Sequence, residues 1–283
     1  MDPAKRNTYI IAAIGFIGIL VAVYFLFIFQ EGAKQIKPDE VSGEVRQLNE
    51  IDIAKRPYVT LTPTSDGAEI LLSIENMADF DQIEYELTYL ADNPSVAGEK
   101  IQRGSTGIDV NTKDPKYKKS ILLGTASRGV RSPDTGITEG KLTMHMFKGE
   151  TEYQSETSWS FEQIGASSRT LENASGNFQM TTPTLGKNYF VIVSDTVGVP
   201  TNGQFDIKGV VLPVYGTFSV APVFSKNASL SIKLEKDTET PELYSYNLAD
   251  SKWVKLDSSY DSTKKTVSAT TDSFKTFVVV SSK

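Results

Sequence analysis

The chain holds a single imidazole, His145, and no cysteine in its 283 residues. Those two counts exclude thiol nucleophiles, CxxC redox centres, disulfides and cysteine metal sites. One histidine cannot build a multi-histidine metal site or the HExxH zinc motif. A Ser-His-Asp triad would have to use His145. That residue sits in KLTMHMF, Lys141 to Phe147. Period-two alternation places it with Thr143 and Phe147, opposite Leu142, Met144 and Met146. No GxSxG elbow accompanies it, and the serine-bearing stretches Gly104–Gly107 and Ala126–Gly129 read as turns. His145 is therefore expected to be structural or surface-exposed, and no catalytic residue is assigned.

Carboxylates are the next candidates. Asp79, Asp81, Glu84 and Glu86 could offer oxygen ligands to calcium. The EF-hand pattern is missing, however, and Glu84 and Glu86 fall on the polar face of an alternating strand. Asp237, Glu239 and Glu242 surround Pro241 and read as a solvated loop. A carboxylate pair could in principle run glycoside hydrolysis, but nothing in the sequence singles one out among 35 acidic residues. No metal, cofactor or cofactor-binding residue is expected. Walker A, GxGxxG and zinc-spacing motifs are all missing.

The one basic cluster is NTKDPKYKKS, with Lys113, Lys116, Lys118 and Lys119 around Tyr117. As a contact, it would meet an anionic wall polymer or lipid headgroups. As plain structure, it is a solvated loop tip. The whole chain is acidic, with 29 Lys+Arg against 35 Asp+Glu and a net charge of -6, so no nucleic-acid partner is expected. Asn173-Ala-Ser175 and Asn227-Ala-Ser229 fit the N-glycosylation acceptor pattern without further support.

These residues must be positioned by the elements around them. No charge occurs from Asn7 to Gln30, and Tyr9 to Phe29 is a continuous 21-residue apolar stretch. A helix of that length spans about 30 Å, the thickness of a bilayer core. Tyr9 at one end and Tyr24 to Phe29 at the other fit an aromatic belt. The stretch exceeds a signal-peptide apolar region and lacks an AxA-like site, so an uncleaved anchor is expected. Tyr9, Tyr24 and Phe29 are its candidate membrane contacts. Lys5 and Arg6 precede it and Lys34 and Lys37 follow it, so flanking charge is nearly even. A short tail before a long C-terminal region favours an inside N-terminus and an extracytoplasmic remainder.

The expected organisation is a cytoplasmic tail at 1–8, a transmembrane helix at 9–29 and a stalk at 30–51. A first β-sandwich domain follows at 52–163, then a linker at 164–177 and a second β-sandwich domain at 178–283. Val41, Val45 and Leu48 allow either a short stalk helix or an extended spacer. In DQIEYELTYL, Ile83, Tyr85, Leu87 and Tyr89 alternate with Glu84, Glu86 and Thr88, which predicts a half-buried antiparallel strand. Lys141–Phe147 and Glu152–Phe161 predict a hairpin about Lys148-Gly149-Glu150. The second half predicts only strands, among them 205–212 and 215–220. Over 52–165 the charge is 18 acidic to 12 basic; over 178–283 it is 10 to 11, every base a lysine.

Two resemblances add to this. The run Leu243-Tyr244-Ser245-Tyr246, Lys252-Trp253-Val254-Lys255-Leu256, Thr266-Val267-Ser268-Ala269 and Phe274-Lys275-Thr276-Phe277 is similar to a compact β-domain near the C-termini of bacterial surface and secreted proteins. Arg56–Pro63, Glu84–Tyr89 and Ser120–Gly124 resemble uncharacterised membrane-anchored proteins of candidate-phyla-radiation bacteria. Neither pattern brings catalytic residues. Trp253, Leu256, Phe274 and Phe277 are expected in the core, with Trp253 and Leu256 sharing one contact around a turn.

The function expected is that of a membrane-anchored, extracytoplasmic envelope protein with a non-enzymatic binding or structural role. Its partners would be the lipid bilayer and a surface or envelope protein or polymer. The alternative is an accessory subunit of a secretion, pilus or surface-layer complex. An extracytoplasmic hydrolase is the third reading.

Overall fold

A computed structural model describes residues 45–200, 205–248 and 250–281. The anchor expected at 9–29, with Tyr9, Tyr24 and Phe29, the tail expected at 1–8 and most of the expected stalk lie outside the described residues. No helix among the described residues is long and apolar enough to cross a membrane.

The described chain is all-β. Its strands are β1 (Val45–Gln47), β2 (Tyr58–Pro63), β3 (Glu69–Glu75), β4 (Gln82–Asp92), β5 (Lys100–Val110), β6 (Lys116–Leu122), β7 (Gly124–Ser127), β8 (Val130–Pro133), β9 (Thr138–Lys148) and β10 (Thr151–Ile164). There follow β11 (Arg169–Glu172), β12 (Phe178–Thr182), β13 (Tyr189–Asp195), β14 (Val210–Phe218), β15 (Ala228–Lys233), β16 (Pro241–Asn247), β17 (Lys252–Lys255), β18 (Ser258–Asp261), β19 (Thr266–Thr271) and β20 (Thr276–Ser281). The predicted hairpin is β9–β10, and the clean alternation of 81–90 is β4. The strands predicted at 205–212 and 215–220 merge into one, β14, which starts at Val210 after a 3₁₀ turn at Ile207–Gly209 and bulges between Val211 and Tyr215, where the Leu212–Pro213 bond is cis. A bulge is one of the few places where a sheet admits proline.

A ten-stranded sheet runs through both halves of the chain in the order β17-β16-β20-β14-β13-β10-β9-β4-β5, with β1 also on β10. The hinge of this arrangement is β10. Its residues 151–159 pair with β9, and its residues 159–164 pair with β13 on the other side. The 14-residue length of β10 is what joins the two halves. The stretch 164–177 contains β11, which pairs with β12. Residues 45–50 also belong to this unit, as β1 and a 3₁₀ turn whose Leu48 is buried in the core.

Alternation on the long sheet separates the cores. On β13, Val191 and Val193 enter one cluster and Ile192 another. On β20, Phe277 and Val279 take one side, and Val278 and Val280 the other. The five-stranded sheet β11-β12-β15-β19-β18 covers the first side through Phe178, Met180, Leu230 and Ile232. The opposite side is covered over β4, β9 and β10 by the three-stranded sheet β2-β3-β6, through Leu61, Ile70, Leu72 and Ile121. Farther along that same side, Ile53, Tyr58 and Val199 pack on Tyr246, Trp253 and Val278. Trp253 and Leu256 therefore fall in different cores, because a separation of three residues, an odd number, reverses the face of an extended chain. Trp253, Phe274 and Phe277 are packed aromatics, Trp253 edge-on to Phe205 and Phe274 edge-on to Phe224.

Candidate functional site

The side of the long sheet that the five-stranded sheet covers farther along has no second sheet over it at β5, β4, β9 and the front of β10 among the described residues. Register places Glu84 opposite His145 and His145 opposite Gln154. Glu86, Thr143 and Glu156 form the next row. Glu152 and Glu162 share this face through their even positions on β10. Five glutamates thus stand with Lys141, which pairs with Glu156 at 3.1 Å, while Lys100, opposite Asp92, shares the far end of the same face. His145 Nδ1 lies 2.6 Å from Glu152 Oε1, with the two side chains about 30% and 18% exposed. Ser105 lies opposite Leu87, on the buried face of β4, so its hydroxyl is across the sheet from His145. Ser127 belongs to the separate β7–β8 hairpin. The described residues do not bring these serines to the imidazole.

The other acidic candidates are occupied locally. Asp81 Oδ2 accepts the Gly149 N–H at 2.7 Å, and Asp79 lies 3.9 Å from Lys148 Nζ, so both secure the β9–β10 turn. Gln82 donates to Glu84. Glu242 accepts from Lys255 Nζ at 2.6 Å and from Tyr244 Oη at 2.7 Å; the Lys255 bond leads in holding its carboxyl below the usual range. Tyr260 Oη donates to Asp237. Among the described residues no group of three or more His, Asp and Glu could hold a metal ion.

The basic cluster spreads over β6 and the turn before it. Lys116 is ion-paired with Glu75 of β3, and Lys119 Nζ lies 3.9 Å from Asp109 of β5. Lys113 and Lys118 are exposed and make no ion pair among the described residues. Two of the four lysines therefore face acids on neighbouring strands, Glu75 on β3 and Asp109 on β5.

Asn173 is buried, which a glycosylation acceptor cannot be. Its Nδ2 donates to Ser175 Oγ and to Asp195 Oδ1, both at 2.9 Å, and its Oδ1 accepts the Phe178 N–H at 3.0 Å. It holds the β11–β12 turn on itself and ties that turn to β13. Asp195, 22 positions further along the chain, becomes its partner only in the fold.

A cavity of about 390 Å³ lies where the bare face ends. It is lined by the start of β9 (Ile137 to Lys141), by Ser158 to Glu162 of β10, and by Glu172 to Ala174 after β11. It exists because β9 leaves β10 early. The β9–β10 register stops at Gly140–Trp159, while Glu139 adopts a left-handed φ of 51° and the β4–β9 ladder slips there. Gly140 is required at this spot, since a Cβ would sit 2.2 Å from the Trp159 indole. Residues 160–164 of β10 then keep β13 on one edge and no strand on the other among the described residues. Arg169 covers part of that edge, donating to the Gln163 carbonyl at 3.1 Å and pairing with Glu162 at 2.7 Å.

No protein-family profile matches this chain, and no curated protein is significantly similar to it. The functional reading therefore rests on the residues and their geometry.

Proposed function

We infer that the protein is a membrane-anchored envelope protein with a non-enzymatic binding or structural role. Tyr9 to Phe29 would form its single transmembrane helix, and the all-β unit would lie outside the cytoplasm as two β-sandwich-like halves sharing one sheet. The observation that carries this reading is an uncharged stretch of bilayer length, ending at Phe29, placed 16 positions ahead of Val45, where an all-β unit begins. The reading also keeps the likeness to candidate-phyla-radiation surface proteins. Packed cores on either side of a common sheet supply stability without disulfides. Contact with an anionic polymer or lipid would rest on Lys113 and Lys118, because Lys116 and Lys119 already have acidic partners.

The test is protease treatment of intact cells, combined with extraction of membranes by alkaline carbonate and by detergent. Release of a β-rich fragment of about 240 residues, with the chain extracted only by detergent, is the expected result. A protease-resistant β unit in intact, wall-stripped cells, or extraction by carbonate alone, would overturn the reading.

A further inference from the structure

We propose that the notch at the Glu139 bulge is a strand-addition site for an extended cationic peptide segment. The inference rests on local geometry and stands apart from the membrane reading. Three observations meet at one place. The first is backbone. Residues 160–164 of β10 have no strand on that edge among the described residues, only the Gln163 carbonyl being taken, by Arg169, and alternate peptide groups of any strand point to that side. Five residues of strand span about 17 Å. The second is side-chain chemistry on the two faces of that edge. Ile137, Trp159 and Phe161 line the cavity from the core side, while Ser160, Glu162 and Glu172 line it from the bare side. A strand laid there would place alternate residues on an apolar floor and beside carboxylates. The third is an unmet donor. Trp159 is 3% exposed, lines the cavity, and its indole N–H has no acceptor.

Charge selects the occupant. Glu139, Glu162 and Glu172 line the notch, and Glu84, Glu86, Glu152 and Glu156 extend the same sign across the bare face. Among the described cations of this face, Lys141 and Arg169 are each already paired with one glutamate and Lys100 with Asp92. The fitting segment alternates lysine or arginine with an aliphatic residue. An anionic polymer would be repelled here.

The experiment uses the full chain in nanodiscs of zwitterionic lipid and a fluorescein-labelled peptide, acetyl-Lys-Val-Lys-Val-Lys-amide. Fluorescence anisotropy should show saturable binding. A peptide N-methylated on alternate amides should bind at least about tenfold more weakly, because its backbone cannot complete the ladder. The paired change Glu139→Gln with Glu172→Gln should weaken binding by about fivefold or more, while Lys252→Gln on β17, at the far end of the long sheet, should leave it unchanged. Near-ultraviolet circular dichroism confirms that each variant is folded. Any of three outcomes overturns the proposal: no saturable binding, equal binding of the N-methylated peptide, or equal binding of a Glu-Val-Glu-Val-Glu control. Failure of the protease experiment above would leave this site untouched.

Discussion

Asn173→Ala should cost about 3–4 kcal/mol of folding stability. The figure comes from what the side chain leaves behind. Its Oδ1 is the side-chain acceptor of the Phe178 N–H, and Phe178 is fully buried. An orphaned buried donor costs about 1–3 kcal/mol. Its Nδ2 also donates to Asp195, and a bond to a charged group contributes about 1.5–3 kcal/mol. The Ser175 bond is at the surface side of the turn and adds little. For a unit of this size about 2–4 °C is lost per kcal/mol, so the melting temperature should fall by roughly 10 °C. The assay is thermal unfolding of the full chain in detergent, followed by fluorescence of Trp159 and Trp253, which are buried in different cores.

The pH dependence makes the test sharper. Burial holds the Asp195 carboxyl above its ordinary value, and the Asn173 bond partly opposes that rise. The folded state therefore binds this proton more tightly than the unfolded state. The corresponding stability is fully present below the unfolded value, about 3.9, and is lost as pH rises through the folded one. Deleting Asn173 removes the opposing contribution and raises the folded value further. The loss should accordingly be larger at pH 7 than near pH 4. Asn173→Asp, which sets a second carboxylate beside Asp195, should be at least as damaging at pH 7 and recover on acidification. A fall of less than about 3 °C, or one that is the same at both pH values, would refute the reasoning.

Further outcomes follow from the packing. Gly140→Ala should destabilise by about 1–3 kcal/mol, since the Trp159 indole has to move to admit the methyl group; urea unfolding with Trp159 emission would show it. Trp253→Ala empties a site bounded by Phe205, Tyr246 and Tyr58 and should cost about 3–5 kcal/mol by the same measurement. Lys116→Ala and Lys119→Ala break exposed ion pairs and should shift the melting temperature by no more than about 2 °C. Paired Lys113→Glu and Lys118→Glu should abolish cosedimentation with anionic polymer, if these two lysines make that contact; unchanged cosedimentation would remove them from it.

Alternation within a strand is a local property, and it was read correctly where one face is polar. Ile83, Tyr85, Leu87 and Tyr89 are buried as the pattern requires. His145 lies on the side its neighbours implied. The β9–β10 hairpin also followed from local signals, because its turn lies between two strands adjacent in sequence. The β14 strand was harder, since Pro213 resembles a break and only the bulge shows how the ladder accommodates it. The charge of the lysine cluster was plain, but its neutralisation depends on Glu75 and Asp109, which reach it only through strand pairing and packing.

One histidine, no cysteine, a bilayer-length apolar stretch and period-two strands are properties of composition and of neighbouring residues. They bounded the chemistry and set the all-β class before any coordinate was known. Tertiary structure alone decided that β10 is long enough to serve both halves, so that one sheet carries cores on opposite sides. It also decided that glutamates from β4 and β10 share a face, and that β9 leaves an edge open beside Trp159. The physical reason is the same in each case. Hydrophobic periodicity says which way a side chain points, whereas the partner and register of a strand depend on backbone hydrogen bonds between segments distant in sequence.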